Sequence, residues 1–252
     1  MKASVSKVMV MALAGMVFSA GISAAAIQPA SISRTPLKIG EPSKKLSVGA
    51  TYEFVKLAID FDHAPDAVLE GDALSLYLGY DILPWLTLFT TLGGFEADTA
   101  PGSELNTDPA FKFSLGASAF LWQGDVLTPQ YMSGRFTFKA NVEVSRYDSD
   151  VGDGSVDWFD ITASLPVGYE IFDEYPEGAR GVDTSISFYV APAISYISGS
   201  WDVGPLDDDF EAQELFGVIG GVDIFLSPGV SFGAEASYFD ETSIIASFRF
   251  HL

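Results

Sequence analysis

Residues Met132–Ser145 read MSGRFTFKANVEVS, and the side chains change character at every step. Met132, Gly134, Phe136, Phe138, Ala140, Val142 and Val144 fall on one face, with Ser133, Arg135, Thr137, Lys139, Asn141, Glu143 and Ser145 on the other. A period of two is that of an extended strand, whose successive side chains point to opposite faces. The same alternation recurs in about ten segments: 46–61, 73–83, 85–95, 110–122, 131–146, 156–171, 184–199, 214–226, 229–239 and 243–252. No strong amphipathic helix appears between them. The apolar faces are large and aromatic, as in Val230, Phe232, Ala234, Ala236 and Tyr238, or Ile244, Ala246, Phe248, Phe250 and Leu252. Glu53, Lys56, Asp81, Lys112, Arg135, Lys139, Glu143, Asp160, Glu170, Asp223, Glu235 and Arg249 all fall on the opposite face.

A soluble sandwich also alternates, but its polar face meets water. Here that face is rich in small residues (Gly116, Ser118, Ser164, Gly168, Ala191, Ala193, Gly217, Gly221, Gly233), which suit the crowded inside of a narrow cylinder. Only helices and closed barrels satisfy every backbone hydrogen bond in hydrocarbon. The predicted fold is therefore all-β, a transmembrane antiparallel up-and-down β-barrel of about ten strands, with eight as the alternative. Leu74–Phe95 is apolar enough to suggest a membrane helix, but Pro84 and the alternation on either side of it favour two strands around a tight turn. Gly79-Tyr80-Asp81-Ile82-Leu83, Gly168-Tyr169-Glu170-Ile171-Phe172 and Gly221-Val222-Asp223-Ile224-Phe225 repeat one pattern, each at the end of an even-numbered strand.

Composition narrows the function. The 252 residues include no Cys, 13 Lys+Arg and 34 Asp+Glu, for a net charge of -21. Nucleic-acid binding, which needs clustered cations, is excluded, as are thiolate metal sites and Cys nucleophiles. With 48% hydrophobic residues and a mean hydropathy of +0.25, the chain is no disordered acidic tail. Lys2 and Lys7, the apolar run Val8–Phe18 and Ala24-Ala25-Ala26 have the layout of a cleaved signal peptide over 1–26. Residues 27–44, with Pro29, Pro36 and Pro42, read as a periplasmic lead-in, and 45–252 as the barrel.

With the N-terminus entering from the periplasm, the outer loops are about 60–72, 96–109, 147–157, 200–214 and 240–242, and the inner turns lie near 83–85, 123–130, 172–183 and 226–229. The outer loops hold 21 of the 34 acids and no Lys or Arg. Three features sit awkwardly. The first strand changes frame at Phe54-Val55, which suggests a bulge or an early end to its spanning part. Pro166 and Pro192 fall mid-strand, each deleting a ladder donor. The 123–130 connection is long for an inner turn.

The signal peptide, the repeated hairpins and the final strand Ile244-x-Ala246-x-Phe248-x-Phe250-x-Leu252 resemble the small outer-membrane β-barrel superfamily that includes the opacity-type and OmpA-barrel proteins. The resemblance covers residues 45–252 as a pattern. It implies residence in a Gram-negative outer membrane among lipid and lipopolysaccharide, and recognition of the last strand by the barrel-assembly machinery. That class usually ends in Phe or Trp, whereas this chain ends in Leu252. No catalytic motif of the class matches.

The residues leave several chemistries to weigh. Asp81, Arg135, Lys139, Glu143, Glu170, Asp223 and Arg249 form an inward charge network, with Arg135 set across from Glu170 in one register. Opposite signs alternate, which favours a plug of ion pairs in a filled lumen over an ion path. A narrow porin-like channel for small solutes or cations is the alternative. Asp148, Asp150 and Asp153, with Asp207, Asp208 and Asp209, are candidate Ca²⁺ ligands, although a solvated acidic rim is favoured and no other cofactor is expected. His63 beside Asp62 must be weighed as part of an omptin-like rim protease, but an exposed loop histidine is the better reading. Tyr80, Trp85, Trp122, Tyr131, Tyr169 and Phe172 suggest an inner aromatic girdle, and Tyr147, Trp158, Tyr196 and Trp201 an outer one. By parity Trp122 and Trp158 point inward. The expected function is a non-enzymatic outer-membrane protein, structural or surface-interacting, whose surface ligand the sequence does not name.

Overall fold

The computed structural model describes residues 46–62, 67–83, 85–98, 107–108, 110–126, 133–151, 154–172, 184–203, 206–212, 215–227, 229–239 and 242–252. The signal peptide, the lead-in, His63, Pro84, Tyr131 and Asp153 lie outside them. The strands are β1 (Leu46–Phe61), β2 (Ala67–Leu83), β3 (Leu86–Asp98), β4 (Thr107–Asp108), β5 (Ala110–Val126), β6 (Ser133–Val151), β7 (Gly154–Ser164), β8 (Val167–Phe172), β9 (Ser185–Val203), β10 (Leu206–Ala212), β11 (Phe216–Ser227), β12 (Val230–Tyr238) and β13 (Thr242–His251). β7 and β8 are one barrel strand interrupted at Leu165-Pro166, so the wall is a closed antiparallel barrel of ten strands, with β4 and β10 additional. β13 returns to β1 from Ser47↔His251 to Phe54↔Ile244, and the Leu252 amide donates to Leu46 O at 2.8 Å. A closed wall has no free edge to recruit another chain.

The register corrects several sequence expectations. β1 pairs with β2 without a break from Leu46↔Tyr80 to Ile59↔Ala67, so there is no bulge at Phe54-Val55. Lys56 therefore faces out rather than in, where it pairs with Glu70 at 3.2 Å. A bulge does occur between Phe120 and Trp122, opposite Lys139 and Phe138. One extra residue reverses parity, so Trp122 points outward and is 59% exposed. The long 123–130 turn is partly strand, since β5 runs on to Val126. Both prolines are accommodated without a register shift. Pro166 O accepts from the Lys139 amide at 2.9 Å and Pro192 O from the Leu165 amide at 3.1 Å, while neither ring nitrogen has a hydrogen to return.

The end of the barrel at which β1 finishes is the outer end below. There the strands run well into the segments expected to be loops, and the barrel changes its strand count. β11, β12 and β13 stop short, and β10 crosses above them, pairing with β9 from Leu206↔Val203 to Glu211↔Ser198 and with β1 from Ile59↔Ala212 to Phe61↔Phe210. Partners followed from Asp60 through Glu211, Ser198, Phe159, Arg146, Phe113, Leu92 and Leu76 return to β1 at Ala50. This closed circuit visits eight strands. The molecule is thus a ten-strand belt that tightens into an eight-strand collar at its outer end.

Burial inverts between the two parts. In the belt portion of β2, outward Leu76 is 68% exposed while inward Ser75 is 3% exposed. Farther along the same strand, inward Leu69 is 1% exposed and the outward neighbours are Glu70 and Asp72. Val55, Leu57, Ile59, Phe61, Leu69, Phe95, Tyr147, Val156, Trp158, Ile197, Phe210, Ile219 and Phe239 pack inside as one apolar core. Glycines admit the rings: a Cβ on Gly71 would lie 2.4 Å from Phe95 Cζ, and one on Gly199 would lie 2.6 Å from Phe210 Cζ. Each fully buried side chain of this size contributes roughly 1.5–3 kcal/mol.

Candidate functional site

The lumen divides into three layers. Innermost is the charge network drawn from the sequence. Asp81 is buried and accepts from Thr87 Oγ1 at 2.6 Å. The Arg249 guanidinium lies 5.0 Å from the Tyr77 ring centre, and the Lys139 ammonium 4.7 Å from that of Phe120. Arg135 stands directly opposite Glu170 in the β6–β8 register, and Glu170 accepts from Ser185 Oγ at 2.6 Å. Asp223 is buried on the inward face of β11, as the repeated pentapeptide requires. The layer also holds partners that sequence reasoning missed. The Tyr189 hydroxyl donates to Glu235. His251 lies between Ser47 Oγ, 3.0 Å from Nδ1, and Ser231 Oγ, 2.9 Å from Nε2, across the seam where β13 meets β1.

The middle layer is built from residues distant in sequence. Lys112 of β5 forms a fully buried ion pair with Glu53 of β1, and its ammonium lies 4.8 Å from the Tyr147 ring centre. The Tyr147 hydroxyl donates to the same Glu53 at 3.2 Å. Asp160 Oδ1 accepts from Ser195 Oγ at 2.7 Å and from Thr162 Oγ1 at 2.9 Å. Thr91 and Ser114 share a hydrogen bond of 2.6 Å. Glu143 is buried in this layer. Parity placed Glu53 and Lys112 inward, but nothing local in either strand announces a partner 59 residues away.

The outer layer is the aromatic core. Tyr147 and Trp158 stack at 4.5 Å with 7° between their planes, and Phe95 meets both edge-on, at 5.5 and 5.0 Å. Phe61 packs edge-on against Trp201 at 5.9 Å and Phe210 at 6.0 Å. Such pairs add about 0.5–1.5 kcal/mol beyond the area that they bury. Trp158 faces inward, as its parity indicated. Tyr147 and Trp201 also belong to this packing and not to a lipid-facing girdle. On the outside at this level Tyr196 donates to Glu211 at 3.4 Å, while Tyr80 and Trp85 are exposed toward the other end of the belt. A lumen lined throughout by small and ionic groups is therefore not what the chain builds.

The acids expected in loops stand mostly on strands of the collar. Asp148↔Asp157, Asp150↔Asp108, Asp202↔Asp207, Asp60↔Glu211, Asp72↔Glu96 and Glu70↔Asp98 are directly opposed in register. Arg146 is one cation among them, 3.5 Å from Asp157, and Ser200 Oγ also donates to Asp157 at 2.7 Å. The two candidate Ca²⁺ sets do not converge. Strand alternation buries Asp208 and turns Asp209 outward, and Asp153 is outside the described residues. Among the described residues no group of three or more carboxylates or histidines is placed to hold a metal ion. Among the described residues no helix is long and apolar enough to cross a membrane, a result that says nothing about strands.

No protein-family model matches the chain, and neither does any curated protein. Similar solved structures include Neisserial surface protein A, with a TM-score of 0.34 and 14% identity over 84% of this chain and 100% of that one. The outer membrane protease OmpT from Escherichia coli gives a TM-score of 0.35 and 10% identity, over 86% of this chain and 97% of that one. The translocator domain of the autotransporter NalP from Neisseria meningitidis gives a TM-score of 0.35 and 12% identity, over 98% of each chain. At such scores the strand register of the chain itself, and not these likenesses, establishes the barrel.

Proposed function

We propose that the chain is an integral outer-membrane barrel without enzymatic activity, exported by its signal peptide. It spans the membrane with the belt and projects the acidic collar from the cell. The observation that carries this reading is the inversion of burial along single strands. Outward Leu74, Leu76, Leu78, Tyr80 and Ile82 need a lipid solvent, and about nine to eleven tilted residues suffice to cross one. Outward Glu70 and Asp72, farther along the same strand, need water. The aromatic core supports a closed lumen, which favours a structural or surface-interacting role over the channel alternative. Outside the cell, the acidic wall suits divalent cations that bridge lipopolysaccharide phosphates, whereas polyanions would be repelled within about 8 Å at physiological salt.

Planar-bilayer recording tests the reading. The mature chain should insert without steady unitary conductance, and regular conductance steps would replace the plugged barrel with a channel. His63→Ala should leave any hydrolytic behaviour of the purified protein unchanged, and a loss would revive the rim hydrolase. Chelation of divalent cations should lower the melting midpoint of the barrel in lipopolysaccharide-containing membranes. An unchanged profile would remove the bridging role.

A further inference from the structure

Between the aromatic core and the inner charge network one carboxylate stands without a partner. Glu143 of β6 is 2% exposed, and neither Oε1 nor Oε2 makes a hydrogen bond of normal geometry, although the Ser114 hydroxyl lies near it. A buried carboxylate is held at heavy cost unless something neutralises or solvates it. Its surroundings offer oxygen. Thr162 of β7 and Gly116 of β5 are its direct cross-strand partners. Ser145 lies two residues along the same face of β6, and its buried Oγ also lacks a partner. Asp160 and Ser114 stand opposite Ser145 on the two flanking strands.

The charge nearby does not balance. Lys112 is engaged by Glu53, while Arg249 and Lys139 lie over the rings of Tyr77 and Phe120 in the inner layer. Asp160 takes its hydrogen bonds from neutral hydroxyls. Glu143 and Asp160 thus place two carboxylates on adjacent strands, beside hydroxyl oxygens, and Lys112, the cation near both, is already paired with Glu53. Carboxylate and hydroxyl oxygens together are donors for hard cations, not for soft metals. Glu53 is already matched by Lys112 and Asp160 already takes two hydroxyl donors, so the one charge left over is that of Glu143, which a single positive charge balances.

We propose that this patch of β5, β6 and β7 binds a small monovalent cation of the sodium class, held by the Glu143 carboxylate with the Ser145 hydroxyl and, from the neighbouring strand, Asp160. The site sits inside the wall and does not depend on what the collar meets outside.

The test uses the mature chain folded in detergent, in sodium chloride and in N-methyl-D-glucamine chloride at equal ionic strength. The unfolding midpoint should be higher in sodium by about 2–4 °C, the scale of a modest ligand effect for a chain of this size. Trp emission should change with it, because Trp158 stacks on Tyr147, two residues beyond Ser145. Glu143→Gln should abolish the difference between the salts and raise the midpoint in the organic cation. Asp148→Asn, on the outside wall, should leave the difference intact. Equal midpoints in the two salts, a sodium effect that survives Glu143→Gln or disappears with Asp148→Asn, or an effect produced by calcium alone would each overturn the proposal. Should Glu143→Gln fail to fold, Ser145→Ala should raise the sodium concentration for half-effect about tenfold, and an unchanged half-point overturns the site equally.

Discussion

Leu76 and Glu70 both point outward from β2, and Ser75 and Leu69 both point inward, yet each pair has exchanged chemistry. In the belt the wall is apolar outside and polar within. In the collar, six residues away on the same strand, it is polar outside and apolar within. Parity is continuous across the change, since the β1–β2 register never slips. On the proposed reading, what changes is the solvent outside. Hydrocarbon makes it favourable to expose Leu and costly to expose a carboxylate, and water reverses both preferences. On the proposed reading the collar is a small water-facing barrel carried by a lipid-facing one, and its apolar core fills the outer end of the lumen.

The largest effects should come from the collar interior. Trp158→Ala should cost about 3–5 kcal/mol in refolding titrations in detergent, because it empties the stack on Tyr147 and the contact with Phe95. The same variant should admit ions in bilayer recordings, and a silent Trp158→Ala bilayer would show that the core is not the seal. Lys112→Met leaves Glu53 buried beside Tyr147 without its cation, and should cost a similar 3–5 kcal/mol. The double variant Glu53→Gln/Lys112→Met should regain most of it, and a cost equal to the sum of the two would deny the pairing.

The outer faces provide the sharper contrast. Leu115→Arg, on the outward belt face of β5, should cost about 2–4 kcal/mol in lipid vesicles. Asp60→Arg, outward on the collar, should cost nothing and relieve the opposition to Glu211. Equal penalties at the two positions would place both in the same solvent. The smallest effect is expected from Asp148→Asn, which removes one carboxylate from the pair with Asp157 and should stabilise by about 0.2–1 kcal/mol.

The belt was legible from sequence because its two faces differ so strongly. The ten alternating segments correspond to the ten barrel strands, the pentapeptide repeat set Asp81 and Asp223 inward, and Arg135 falls opposite Glu170. The collar was not legible. Acids at every second position look like a solvated loop when charge is counted, so β10, whose Asp209 and Glu211 face out around Phe210, was read as part of one. Aromatic residues near strand ends resemble a membrane girdle, and only the inward parity of Trp158 pointed to a core. Trp122 was misplaced because a one-residue bulge leaves no mark in the pattern. The Glu53–Lys112 pair joins strands that are not neighbours in the wall, and no local spacing encodes such a contact.

The inversion itself can be read directly because the chain contains no cysteine. Single cysteines placed at Leu76, Leu115, Asp60 and Glu70 should be labelled in lipid vesicles with an environment-sensitive probe, then challenged with a water-soluble quencher and with lipid-borne spin labels. Probes at 76 and 115 should be quenched from the lipid alone, and those at 60 and 70 from water alone. Lipid quenching at all four positions, or water quenching at all four, would contradict a barrel whose wall changes solvent partway along its strands.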